Sequence, residues 1–364
     1  MVGHLPDLYR SLEQIWFVPF AGWGNSGVLS TMRCEEWNMN QIWFTRFRSL
    51  VTLCLIIFAQ AVAADEYPSK PIRLIVPFPA GSSADVRARQ LAPLVAQRLK
   101  QQLIIDNRPG AAGSIGTGLG AKANPDGYTV TYIITNTVAV NPHLYKDSGF
   151  DPLKDLVPLI VTARSAPILV VKADSPIRSA GDLIAQAKTR PGKLTYGTSG
   201  QGSPQHLMGE RLKKMAGIDL VSVPYKGDAP TLTDLMGGQI DMALGFPLAA
   251  MALIDAGKLR ALAVTSAKRL TILPNTPTLA ESGVPGYDET IWSGFAVPTG
   301  TPENIVRKLH EAFRSAMLTP AYKKDVEQSG AELIASTQEY AVQLVKSDYE
   351  RYGKIVRELG LRVE

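Results

Sequence analysis

Apolar runs and polar breaks alternate along this chain with two periods in turn. Ile72, Leu74, Ile75 and Val76 form a short apolar run that predicts a buried strand, and Pro77, Pro79 and Gly81 stop it. Ser82 and Asp85 stand at capping-box spacing, so a helix is predicted to begin near Ala84 with its first backbone N–H groups free. Ala88, Leu91, Ala92, Val95 and Leu99 then keep one apolar face at helical spacing. Further strands are predicted over 103–105, 128–134, 157–161, 168–171, 195–197, 221–224, 240–244, 259–265 and 292–297. Between them, helix starts are read at Gly113, at Ser179 with Asp182, at Ser203-Pro204 and at Asp228 as a cap. Thr278 with Glu281, Thr301-Pro302 and Thr337 supply three more.

Strand and helix in regular alternation predict an α/β fold whose sheets are mostly parallel and flanked by helices. The strands at 157–161 and 168–171 are placed to carry the chain into a second lobe, and 292–297 to bring it back. The expected organisation is a first lobe over 64–163, a second over 164–288, and a return to the first over 289–364.

The N-terminal region reads differently. Arg46 and Arg48 precede an apolar run over 50–59, and Ala61-Val-Ala63 follows as a cleavage signal. The run is about half the length of a membrane-spanning helix, so 39–63 is read as a cleavable signal peptide. Residues 1–38 hold Trp16, Trp23 and Trp37 and are read as an extension from a mis-assigned start, with Met39 the better one. Both cysteines, Cys34 and Cys54, precede the cleavage point, leaving the exported part without a thiol or disulfide. The formal charge of +5 belongs to the exported part and forms no basic cluster. That argues against nucleic-acid binding and for a mildly positive field that favours acidic small molecules.

Candidate chemistry concentrates at five strand-to-helix corners rich in glycine, proline and small hydroxyls: 77–85, 135–137, 198–204, 225–228 and 245–247. Ligands of open α/β sheets bind beyond the carboxyl ends of strands, and helix N-termini attract anions. Jointly the corners describe a cleft for a polar anion. Asp85 is a helix cap that could also meet a ligand amine. Phe78, Phe246 and Trp292 are core or ligand-platform aromatics. Catalytic readings are thinner: Gly197-Thr-Ser199-Gly200 only loosely resembles a nucleophile elbow, and His206 would have to be its base. His206 reads as a first-turn residue that bonds locally or lines the cleft. His143 and His310 have no ligand-spaced partners, so no metal site is predicted. Gly116-Thr-Gly118-Leu-Gly120 is not a dinucleotide fingerprint, and its expected role is close packing of a helix on the sheet.

Ordered blocks over most of the chain carry a family resemblance. They are Tyr67-Pro-Ser-Lys-Pro-Ile-Arg-Leu-Ile-Val-Pro-Phe-Pro-Ala-Gly81, Asp106-Asn-Arg-Pro-Gly110, Pro125-Asp-Gly-Tyr128, Pro191-Gly-Lys-Leu, Val223-Pro-Tyr-Lys-Gly227, Gly238-Gln-Ile-Asp241 and Ala256-Gly-Lys-Leu-Arg-Ala-Leu-Ala-Val-Thr-Ser266. They resemble the Bug-type, TctC-like solute receptors of tripartite tricarboxylate transporters. The resemblance implies a two-lobed, type II-like periplasmic binding protein, monomeric, non-enzymatic and without a cofactor. It implies a small organic carboxylate as ligand, and a large and a small integral-membrane subunit as partners. It places one carboxyl end at Phe78 and Ala80, Gly81, Ser82 and Ser83, with further contacts from Thr135, Asn136, Thr137, Ser199, Gly200, Ser203, Gly245 and Phe246. Tyr225, Asp85 and His206 complete the candidate set from the corners themselves.

Two departures matter. The loop Ala80-Gly-Ser-Ser-Ala84 is less glycine-rich than is usual in that family, and Gly245-Phe246 stand where many relatives carry a polar residue. The less polar far end favours an aromatic or aliphatic carboxylate over citrate. Two rivals stay open from the residues alone: an exported serine hydrolase using Ser199 and His206, and the same binding module serving a sensor. The leader reading is checked by intact mass and N-terminal sequencing of exported protein. The expected first residue lies close to Ala64, and a mature chain that retains Trp37 would refute it.

Overall fold

In a computed structural model of the chain, the structure describes residues 67–146 and 148–362. The predicted leader and start extension lie outside the described residues. Asp65–Glu364 forms one compact unit.

Its elements are β1 (Ile72–Val76), α1 (Ser83–Leu99), β2 (Leu103–Asn107), α2 (Ser114–Ala121), β3 (Thr129–Ile134) and α3 (Asn141–Leu144). They continue with β4 (Leu156–Ser165), β5 (Ile168–Lys172), α4 (Ala180–Thr189), β6 (Thr195–Thr198), α5 (Pro204–Ala216), β7 (Val221–Pro224), α6 (Asp228–Met236), β8 (Met242–Gly245) and α7 (Pro247–Asp255). Last come β9 (Leu259–Val264), β10 (Ile291–Pro298), α8 (Glu303–Met317), α9 (Pro320–Gln328), β11 (Ala331–Leu333) and α10 (Gln338–Leu359). The strands build a six-stranded sheet, β11-β4-β10-β3-β1-β2, and a five-stranded sheet, β7-β6-β8-β5-β9. Sheet membership changes between Ser165 and Ile168 and changes back before Ile291.

The α/β class predicted from the alternation is the one observed, but the sheets are mixed rather than mostly parallel. β1 pairs parallel with β2 and β3, and β6 with β7 and β8. β10 runs antiparallel to both β3 and β4, β11 to β4, and β5 to both β8 and β9. β5, by which the chain enters the second sheet, and β10, by which it returns to the first, each run against the βαβ units of their sheet, and that sets the mixture.

Capping explains most boundaries. Ser82 accepts from the Asp85 N–H, Ser203 from His206 and Thr337 from Tyr340, and Ser179 with Asp182 forms a complete box. Thr278 and Glu281 also close a reciprocal box, yet only turns follow, because Gly283, Pro285 and Gly286 end the segment at once. Asp228 does not cap, contrary to its spacing. Gly227 occupies the cap position and Asp228 is the first helical residue. The 135–137 corner is no loop either: Thr135 is already helical, and Asn136–Val140 winds as a π-helical turn into α3. Pro142 offers no N–H to that helix, which is where wider i→i+5 bonding takes over. Helix α9 and strand β11 go beyond the predicted elements. A short helix opened by Pro320 and a three-residue strand leave little periodic signal.

Two of the three glycines of α2, Gly116 and Gly120, do let that helix press on the sheet, while Gly118 faces Phe150. A methyl group on Gly116 would overlap the Arg108 carbonyl oxygen and come within 2.8 Å of the Pro77 Cα, and one on Gly120 would overlap Thr131. Helix propensity alone favours Gly116→Ala by about 1 kcal/mol, whereas overpacking costs about 1–3 kcal/mol. Because backbone on both sides cannot yield, we expect Gly116→Ala to lower the unfolding free energy in urea by a net of up to about 2 kcal/mol. A stabilised variant would show that the close approach does not exist.

Candidate ligand-binding site

The end of β1 sets the first wall. Pro77 and Pro79 cannot donate backbone bonds, and Gly81 takes φ +79, which turns the chain into α1. Asp85 ties this turn down. Its Oδ2 accepts from the Gly81 N–H at 2.9 Å and from Arg89 Nε at 2.9 Å, and its Oδ1 accepts from Asn107 Nδ2 at 2.9 Å. Asn107 also donates to the Phe78 carbonyl at 3.0 Å, so strand, loop and helix share one knot. Burial pushes the Asp85 carboxyl up, but bonds from Arg89, Gly81 and Asn107 outweigh it and hold the group below the usual carboxylate range. The N–H groups of Ser83 and Ala84, in the first turn of α1, are left without an acceptor among the described residues.

The second wall comes from β6, β7 and β8. Gly200 and Gly202 take φ +122 and +77 and bring Ser203 to its cap. Ser199 Oγ donates to Gln205 Oε1 at 2.8 Å, and Gln205 Nε2 donates to Asp228 Oδ1 at 2.8 Å. Asp228 Oδ2 accepts from Ser83 Oγ at 3.4 Å, which closes a polar chain from one sheet's corner to the other's. Burial pushes the Asp228 carboxyl up, against the opposing pull of Gln205 and Ser83.

These walls enclose a cavity of about 500 Å³. From the candidate set it is lined by Phe78, Ser82, Ser83, Ser199, Ser203 and Phe246. Four of the five corners therefore meet. Ala80 and Gly81 sit on the exposed side of the turn, and Asp85 is buried beneath it. Thr135, Asn136 and Thr137 are fully buried and bond inward: Thr135 with Trp292, Thr137 with Ile134, and Asn136 Nδ2 with the Gly202 carbonyl at 2.5 Å. Gly200 lies behind Ser199. Tyr225 packs beside Gly197 and Gly245 against Ala250. Trp292 is core, its Nε1 donating to Asp348 at 2.7 Å.

Residues that sequence reasoning missed are as telling. Arg87, Gln205, Asp228 and Lys226 all line the cavity, as do Tyr132, Ser293 and the 109–113 loop. Arg87 follows Ser83 by four positions, so helical spacing alone puts both on one face. Of the charged lining residues, Arg87 and Lys226 are basic and Asp228 is acidic, so the cavity has a positive excess. Ile134, Ile291, Phe246 and Leu248 supply apolar surface between these charges.

Ser199 and His206 are not hydrogen-bonded to each other. The Ser199 hydroxyl donates to an amide oxygen, which cannot take its proton, and His206 Nδ1 accepts from the Gly202 N–H at 3.2 Å. Burial lowers the His206 pKa, as befits a first-turn residue with a local bond. Among the described residues no group of three or more His, Cys, Asp or Glu could hold a metal ion, and no helix is long and apolar enough to cross a membrane.

Comparison with known proteins places the chain in a family and matches its fold to solved structures. The family model described as tripartite tricarboxylate transporter family receptor matches residues 87–361. The protein BugT of Bordetella pertussis is 34% identical over 84% of this chain and 94% of its own length. Among solved structures, the periplasmic binding protein BugD is 32% identical with TM-score 0.77, covering 82% of this chain and 100% of its own. Rpa4515 of R. palustris, solved with adipate, is 36% identical with TM-score 0.78, covering 82% and 99%. MatC of Rhodopseudomonas palustris, solved with malate, is 26% identical with TM-score 0.75, covering 80% and 100%.

The Asp85 knot yields a prediction with a defined sign. A carboxylate whose pKa is lower in the folded chain adds stability above its unfolded pKa of about 3.9 and loses it as pH falls through the folded value. Asp85→Ala is expected to cost about 1–3 kcal/mol at pH 7, the scale of losing charge-assisted bonds. The gap from wild type should narrow in urea titrations below about pH 4. A gap that is flat across the acid range would show that the charge of Asp85 is not what holds the loop.

Proposed function

Because the chain belongs to the tripartite tricarboxylate transporter receptor family, and is a solute-binding receptor of that family, we propose that it captures a small organic carboxylate in the cavity between its two sheets. The observation that carries this reading is the convergence of four strand-to-helix corners, from both sheets, on one positively biased cavity. The adipate bound by Rpa4515 and the malate bound by MatC support the same ligand class.

In this reading one carboxyl group sits at the first corner. It takes charge-assisted bonds from the Ser83 and Ala84 N–H groups and from the Ser82 hydroxyl, while Ser199 and Ser203 approach from the opposite wall. Each such bond is worth about 1.5–3 kcal/mol, and the dipole of α1 adds to it. Phe78, Phe246 and Leu248 cover the aliphatic part. The lobes are taken as 64–163 with 289–364, and 164–288; the changes of sheet membership near Ser165 and before Ile291 support that division. Closure of the lobes would bury the ligand and present a new surface to a large and a small membrane subunit. The receptor would work as a monomer in the periplasm, exported by the leader that ends near Ala63, and without turning its ligand over.

The test is thermal unfolding of ligand-stripped mature protein against a panel of mono-, di- and tricarboxylates, beside an esterase assay. A true ligand at about a hundred-fold excess over its Kd contributes about 2.7 kcal/mol, a rise in Tm of roughly 4–8 °C. Stabilisation without turnover is expected. Ester hydrolysis that Ser199→Ala abolishes, or no response to any carboxylate, would overturn the reading.

A further inference from the structure

Among the described residues Arg87 is a buried charge of the cavity lining without a counter-ion, whereas Lys226 is exposed to solvent. Arg87 is only 7% exposed, yet it lines the cleft one turn of α1 beyond Ser83. Its guanidinium donates to Ser329 Oγ at 2.6 Å and to Gln90 Oε1 at 3.2 Å, both neutral acceptors. A guanidinium has five N–H donors and keeps its charge, so most of its bonding capacity is unanswered. Among the described residues no carboxylate pairs with it. Asp228, the acid of the same cavity, is engaged instead by Gln205 and Ser83. Close by, the buried Tyr322 hydroxyl has no partner among the described residues.

A buried cation without a counter-ion is unfavourable, and a planar guanidinium fork suits a carboxylate in bidentate geometry. Resting on the receptor reading above, we propose that Arg87, supported by Ser329, is a second anion-binding point and that the ligand is a dicarboxylate whose far acid group pairs with the guanidinium. The four-residue step from Ser83 to Arg87 advances about 6 Å along α1. A short unbranched diacid of the succinate to pimelate series spans that distance. Arg87 is then the residue that separates diacids from monoacids.

The test is isothermal titration with succinate, glutarate, adipate and pimelate and with the monomethyl ester of each. Wild type, Arg87→Gln and Arg87→Met are compared, with thermal unfolding to show that each variant is folded. In wild type the best diacid is expected to bind about 30-fold tighter than its half-ester, a difference of about 2 kcal/mol. In the variants that ratio should fall to within about threefold. Variants that keep the wild-type ratio overturn the proposal, and so does a wild type that does not separate diacid from half-ester, with no variant needed. Binding of monoacids alone removes this proposal and leaves the receptor reading standing. Failure of wild type to bind any carboxylate removes both.

Discussion

A helix that begins within a few residues of a strand's end must leave its first N–H groups pointing at the mouth of the sheet, and the fold of this protein depends on holding such a start rigid. Asp85 does this for α1. One carboxylate receives the Gly81 N–H, the Arg89 guanidinium and the Asn107 amide, and Asn107 in turn grips the Phe78 carbonyl. The charges of Asp85 and Arg89 are committed to the scaffold beneath the turn, and neither lines the cavity. What reaches the cavity is a row of main-chain and hydroxyl donors at a helix start, which favours an anion without supplying a mobile cation.

The opposite wall follows the same logic by different means. Ser199, Gln205 and Asp228 form a hydrogen-bonded chain that ends at Ser83, on the first wall. That chain bears on the difference between a receptor and a hydrolase. A serine whose proton lies on a glutamine oxygen is oriented but not activated, since activation needs a base within reach. His206, the imidazole at that corner, accepts from the Gly202 N–H. Similar strand-to-helix corners serve both kinds of protein. Here the hydrogen bonds orient Ser199, Gln205 and Asp228 along one wall.

Much of this was legible in the sequence, for identifiable reasons. Period-two and period-3.6 apolar runs located every strand except β11, and Ser82, Ser179, Ser203 and Thr337 marked four helix starts because capping chemistry is local. Strand direction was not legible. Whether β5 or β10 runs with or against its neighbours depends on partners far along the chain, more than a hundred residues away where β10 pairs with β3. The site was half legible. Small residues at corners announced Ser82, Ser83, Ser199, Ser203 and Phe246, whereas Arg87, Gln205 and Asp228 sit inside helices, where a polar residue reads as solvated surface or as a cap. Asp228 shows the ambiguity most clearly: the spacing that suits a cap also suits a first-turn residue facing the cleft, and only Gly227 at φ +116 decides between them.

The segment 135–137 shows how a corner can shape a site without touching it. Thr137 packs where a Cβ on Gly113 would stand, and Phe78 closes on the same point from the other side. Asn141 Nδ2, from the same helical segment, donates to the Ala112 carbonyl at 3.1 Å. Together these contacts hold Ala111 and Ala112 at φ +46 and +47, a left-handed conformation that costs alanine about 1–2 kcal/mol per residue. Strain of that kind persists only where the surroundings over-determine it. Here it shapes the stretch 109–113, which lines one side of the cavity. The buried polar residues of 135–141 thus govern the cavity from one layer away, through the backbone they constrain.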